Sequence, residues 1–188
     1  MDPTTLIVLA IVVVVVLAIV AWAIMQRQRS EELRQRFGPE YDRAVAERGD
    51  QRRAEAELEE RRKRVEQLHI RLLTPEERER FAEAWRITQA RFVDEPSAAI
   101  EEADRLVTNV METRGYPVGD FEQRAADISV DHPDVVSNYR AAHAIARANA
   151  RGEASTEDLR QAMVHYRALF EDLLETRELE PKEKEVGR

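Results

Sequence analysis

The chain has 188 residues, 43% of them hydrophobic and 35% charged, with a formal net charge of −8 and no cysteine. Without cysteine there is no disulfide, no thiolate metal site and no Cys nucleophile. The acidic balance argues against nucleic acid as a partner, because phosphate binding needs a basic patch.

These averages conceal two different polymers. Leu6–Met25 is a run of 20 apolar residues without charge, Pro or Gly, and Asp2 is the only charged residue before it. At 1.5 Å per residue the run spans about 30 Å, the thickness of a bilayer hydrocarbon core. Val12–Val16 is β-branched throughout, which disfavours helix in water, but in lipid the backbone must satisfy itself and helix wins. Trp22 sits near the end of the run, where an interfacial indole is expected. Ala21-Trp22-Ala23 resembles a signal-peptidase triplet. However, residues 1–5 carry no Lys or Arg and the apolar core exceeds an ordinary signal h-region, so an anchor is the better reading. Arg27, Arg29, Arg34 and Arg36 follow the span and no basic residue precedes it. The positive-inside rule then predicts a short outer tail over 1–5, a transmembrane helix over 6–25 and a cytoplasmic remainder.

Residues 26–73 read as a charged juxtamembrane helical stalk. Gly38-Pro39 breaks the helix early, and Pro39 suits the first turn of the next. Arg48-Gly49-Asp50 spells an adhesion tripeptide, but on the expected cytoplasmic side it reads as a turn between helices. Gln51–Leu68 is nearly all helix formers, with acid preceding base at i,i+4 in Glu57/Arg61, Glu59/Lys63 and Glu60/Arg64. Leu58, Val65, Leu68 and Leu72 form a thin apolar stripe at heptad-like spacing. It suits either a short coiled coil that makes a homodimer or, as the simpler reading, one charged helix packed on its own C-terminal domain.

From Thr74 to residue 176 the punctuation predicts a bundle of about five helices. Thr74-Pro75-Glu76-Glu77 combines an N-cap, a first-turn Pro and a capping-box Glu, opening a helix with Phe81, Trp85, Thr88 and Phe92 on one face. The next begins at Asp94-Glu95-Pro96, carries Ile100, Ala103, Val107, Val110 and Met111, and stops at Gly115. Asp120 caps a short helix holding Phe121, Ala125 and Ile128. Asp131-His132-Pro133 reads as the cap of a helix carrying Val135, Tyr139, Ala142 and Ile145, and Ser155 or Thr156 opens the last, with Leu159, Met163, Tyr166, Phe170 and Leu173 inward. Residues 177–188 form a Glu/Lys-rich tail expected to be disordered. No segment alternates with period two for long enough to be a strand. The fold class is all-α.

No strong chemical motif emerges. His132, His143 and His165 are the bundle's histidines, and no two lie at i,i+3 or i,i+4. The expectation is no catalytic residue, no cofactor site and no metal site. Asp127, Asp131 and Asp134 crowd one loop region, and Arg124, Arg140, Arg160 and Arg167 share helices with inward apolar residues. Caps and buried ion pairs explain both sets. The mixed segment Phe121–Pro133 is the first place to look for a specific surface. The candidate interaction residues are Phe121, Glu122, Arg124, Asp127, Asp131, His132, Arg140 and His165.

Several segments carry a resemblance: Arg36-Phe37-Gly38-Pro39-Glu40-Tyr41, Arg114-Gly115-Tyr116-Pro117, Phe121–Pro133, and Asp158 through Arg167. Their order resembles a family of uncharacterised bacterial single-pass membrane-anchored proteins, often labelled hypothetical or secreted. The resemblance implies a bacterial source and, with the charge rule, the inner membrane. It supplies no activity and no site residue. The resulting expectation is a bilayer contact through 6–25 and a protein partner for an adaptor or scaffold. The alternative is a small-ligand or metal sensor, or an enzyme, using the bundle's His, Arg and Asp residues.

Overall fold

A computed structural model describes the backbone of residues 3–174, with side chains from Val12 onward. The expected disordered tail over 177–188 lies outside the described residues, as do Met1 and Asp2 of the outer tail. Among the described residues there are eight helices and no strand, so the chain is all-α. Two compact units divide between Glu59 and Glu60, inside a helix.

In the first unit, α1 (Pro3–Phe37) runs through the apolar segment and on for a further three turns without a break. It is the one helix among the described residues long and apolar enough to cross a membrane. Every side chain from Val12 to Met25 is exposed. Beyond them Leu33 and Phe37 are buried. Gly38 adopts φ 46° and α2 (Pro39–Arg48) starts with Pro39 in its first turn, burying Glu40, Tyr41 and Ala44. Gly49, left-handed at φ 65°, ends α2. Asp50 then accepts the amide of Arg53 at 2.8 Å, so Arg48-Gly49-Asp50 is a helix stop and start.

The third helix, α3 (Gln51–Glu66), is shorter than its apolar stripe. Leu58 and Val65 are buried, whereas Leu68 and Leu72 lie past the helix end and Leu72 is exposed. The stripe is therefore not continuous helix, and its helical part ends at Val65. Leu68 falls in a turn whose amide bonds back to Val65.

The unit from Glu60 onward contains α4 (Pro75–Arg91), α5 (Pro96–Arg114), α6 (Phe121–Asp131), α7 (Val136–Ala150) and α8 (Thr156–Leu174). The Thr74 capping box forms in full, Asp120 caps α6 through the Gln123 amide, and Ser155 exchanges bonds with Asp158 to open α8. α5 starts at Pro96 as expected, preceded by Glu95, which makes no cap bond and pairs with Arg91 at 2.9 Å. One expected start differs. Asp131 ends α6 instead of capping α7, since its carboxylate receives the Tyr116 hydroxyl at 2.7 Å and the His132 amide continues the ladder to Ile128. α7 consequently begins at Val136 with no side-chain cap.

The stripes read from the sequence supply the core. α5 packs against α4, α7 and α8, and α8 also packs on α7. Ile100, Val107, Val110 and Met111 of α5 are fully buried with Tyr139, Tyr166 and Leu169. Trp85 stacks on Phe170 with ring centroids 4.6 Å apart. Ser97 bonds Asn149 at 2.9 Å, and Asp104 faces His143, so α5 and α7 are antiparallel. Residues 67–73 run past the end of α5, where the Arg71 amide bonds the Arg114 carbonyl at 2.8 Å.

That passage constrains Gly115. Its φ is 99°, and a Cβ there would lie 2.5 Å from the His69 carbonyl oxygen. Gly152 has φ 72° but open space around it. We expect Gly152→Ala to cost about 1 kcal/mol, the left-handed penalty alone. Gly115→Ala should cost clearly more, about 3 kcal/mol, because backbone must also shift. Urea titration of the two full-length variants in mild detergent checks the order.

Candidate functional site

The polar groups inside the bundle fall into three separate networks. The first is centred on Asp104 of α5. The Tyr166 hydroxyl of α8 donates to its Oδ1 at 2.8 Å. His143 of α7 places Nδ1 at 3.8 Å from the same oxygen, and that nitrogen is buried without a hydrogen-bond partner. Phe121 of α6 lies flat on the His143 ring, with centroids 3.6 Å apart and planes 7° from parallel. Arg124, one turn on, donates from Nε to the Tyr139 hydroxyl at 3.1 Å. Four helices thus meet around one carboxylate.

The electrostatics follow from this packing. Burial alone would raise the Asp104 pKa, but His143, the Tyr166 hydroxyl and the charge of Arg124 outweigh it and hold the group below the usual aspartate value. Burial pushes the Tyr166 phenol up, and the adjacent Asp104 charge pushes it further. Burial also raises Tyr139, against a partial offset from Arg124. Asp104 is the charged acceptor, the Tyr166 phenol is its donor, and the Tyr139 hydroxyl accepts from Arg124.

The second network surrounds Arg114, the last residue of α5, which is only 7% exposed. It donates to the Leu173 carbonyl at 3.1 Å and approaches His132 Nε2 at 3.3 Å. On its other side His132 Nδ1 meets Asp172. Arginine has only donors, so this chain requires Nε2 to accept and Nδ1 to carry the proton. Tyr116 packs edge-on to His132, and burial together with Asp131 raises its pKa. The third network is smaller. Asp127 of α6, 1% exposed, accepts from Arg64 and from Gln123, each at 2.8 Å. Arg64 therefore pairs here and not with Glu60.

The expected interaction residues are distributed over these networks. Phe121 and Arg124 belong to the first, Asp131 and His132 to the second, and Asp127 to the third. Asp127 is fully buried and cannot belong to a free surface. Glu122 is 75% exposed and pairs with Arg140 at 3.0 Å. His165 stands apart, with Nδ1 at 2.9 Å from Asn138. The three bundle histidines thus face three different sets of partners. Among the described residues, no three His, Asp or Glu side chains gather as metal ligands would. The segment Phe121–Pro133 is a hub of internal bonds more than an outward surface.

Sequence reasoning missed Asp104 and Arg114 as network centres. Both carry a readable signal. Asp104 follows Ala103 in the α5 stripe and lies one turn from Ile100 and Val107; Arg114 extends the Val107–Met111 row. A charge on an apolar face needs a partner inside. The partners themselves, Tyr166 and the Leu173 carbonyl, come from 60 residues away and are set by tertiary packing.

The Asp104 network makes a signed prediction. Its lowered folded-state pKa means that its contribution is present above the ordinary aspartate value, about 3.9, and is lost as pH falls through the folded value. Asp104→Asn should cost about 1–2 kcal/mol at pH 7, and its deficit against wild type should shrink below about pH 4. A deficit of the same size at pH 3 and pH 7 would contradict the assignment; urea titration across that range in detergent measures it.

Comparison with family models, with curated proteins and with solved structures finds no match to this chain.

Proposed function

We propose that the protein is a single-pass membrane-anchored adaptor whose helical domain faces the cytoplasm and binds another protein. One observation carries the anchor: from Val12 to Met25 every side chain of α1 is exposed, and the helix continues unbroken into a folded unit. An apolar surface of that length is stable in lipid and a liability in water. Arginines confined to the Phe37 end of α1 support the N-terminus outside. The resemblance to bacterial single-pass proteins supports the inner membrane as the location.

The adaptor reading rests on how the bundle uses its polar residues. The histidines, arginines and aspartates inside it are engaged in holding helices together, in three networks that do not converge. The sensor or enzyme alternative, which requires them to converge, has less support. Glu122, exposed and paired with the half-buried Arg140, is an outward part of the expected surface.

A fluorescent-protein fusion at the C-terminus should be bright and an alkaline-phosphatase fusion at the same place inactive; the reverse pattern overturns the orientation. A photo-crosslinking residue at position 122, introduced in cells, should yield one discrete adduct identified by mass spectrometry. An absence of any protein adduct, with the chain present at normal level, argues against the adaptor.

A further inference from the structure

α4 lies at the edge of the bundle, with α5 as its neighbour and α8 reached through the stack of Trp85 on Phe170. Phe81, Trp85 and Thr88 face that core. Ile87 follows Trp85 by two residues, which puts it on the opposite side of the helix, and it is 57% exposed. Ala90, one turn on, is exposed, and Ala84, one turn back, is half-buried. A large apolar side chain flanked by alanines lets another helix approach closely.

The charges around Ile87 have an order that the fold itself does not use. Arg80 stands seven residues before it and Asp94 seven after, and both are exposed. The helical path reaches Asp94, because the amides of Val93 and Asp94 bond the carbonyls of Ala90 and Arg91. Residues seven apart on a helix share a side, so Arg80, Ile87 and Asp94 form one row. The Arg80 guanidinium lies over the Phe81 ring, and no described carboxylate pairs with it; no described cation pairs with Asp94. Closer in, Glu83 stands four residues before Ile87 and Arg91 four after. Their partners are exposed and local: Arg86 for Glu83, and Glu95 and Glu102 for Arg91.

Opposite signs at equal distances on either side of one apolar residue suit a two-fold contact, in which each position meets its mirror position. Of the other acids on this face, Glu76 mirrors Ala98, and Glu79 mirrors Glu95, which Arg91 already pairs.

We infer that α4 is a docking face for a second copy of this chain. Two α4 helices cross antiparallel at Ile87, Arg80 meets the partner's Asp94 and Glu83 meets the partner's Arg91. The apolar contact is small, so the dimer is weak and reversible. Exposed ion pairs add little affinity, but they fix direction and register and disfavour a parallel arrangement. The face is on a different helix from Glu122, so the inference stands whether or not another protein binds there.

The chain has no cysteine, so one introduced thiol reports the contact without background. Ile87→Cys places a thiol on the two-fold axis. Val164→Cys, at a similarly exposed position on α8 (54%), is the control. Purified full-length variants in mild detergent are oxidised with copper phenanthroline. Ile87→Cys should form the disulfide-linked dimer several-fold faster than Val164→Cys. Adding Arg80→Glu sets like charges together at two places in the dimer and should slow that crosslink about ten-fold. Adding Asp94→Arg as well should restore it, and high salt should shrink the difference. Unchanged far-UV circular dichroism checks that these exposed substitutions leave the fold intact. Equal crosslinking rates for the two cysteine variants overturn the docking face. So does an Ile87→Cys crosslink that Arg80→Glu leaves unchanged, or one that Asp94→Arg fails to restore.

Discussion

Two charges on or beside the buried face of α5 govern how the bundle closes. Arg114 is buried in the same row as Val107 and Met111, and Asp104, next to Ala103 at the margin of that face, is partly buried. An unpaired charge in such a place costs several kcal/mol, more than any one of those apolar residues returns. Both are met from α8: Asp104 by the Tyr166 hydroxyl and Arg114 by the Leu173 carbonyl. Residue numbers rise together along the two helices, so α5 and α8 lie parallel. Two polar contacts about two turns apart on α8 also fix the register between them. Hydrophobic stripes alone tolerate sliding and rotation, and these two bonds do not.

This explains which parts of the fold were legible. Local chemistry set the helix punctuation: the Thr74 capping box, the Asp120 cap, the Ser155 start, and the glycine stops at Gly49 and Gly115 all formed where residue type and spacing placed them. The one misplaced start has a specific cause. Asp131 had the residue type for a cap, but Tyr116 took its carboxylate. Tyr116 reaches Asp131 only because burial of its ring leaves the hydroxyl in need of an acceptor. A sequence read along one helix at a time does not contain that competition.

The same limit shaped the reading of Phe121–Pro133. Apolar, amide, basic and acidic residues in close succession suggest a recognition surface, and helical geometry distributes them differently. Phe121 faces His143 and Arg124 faces Tyr139, Asp127 faces Arg64, and Asp131 faces Tyr116. Each successive residue type addresses a different neighbour, so the mixed composition records how many elements surround α6. Its exposed residues are Glu122 and Asp131. Conversely, two tyrosines at core positions, read as hydrophobic filling, carry the Asp104 network: Tyr166 donates to Asp104, and Tyr139 accepts from Arg124.

At the other end of the chain, chemistry and backbone disagree about where a boundary lies. Composition changes abruptly after Met25, from wholly apolar to mostly charged, yet α1 shows no break there. What changes at that point is the solvent the side chains require, and helix satisfies the backbone on both sides of it. Past Met25 the helix gains its support from protein, through burial of Leu33 and Phe37 and the bonds of Ser30 and Arg29 to α3. The first real interruption is Gly38, whose positive φ turns the chain before Pro39 restarts it. The apolar segment and the first folded unit therefore share one continuous helix. A tilt or rotation imposed on the apolar segment would be passed along that helix to the packed residues Leu33 and Phe37, with no interruption between.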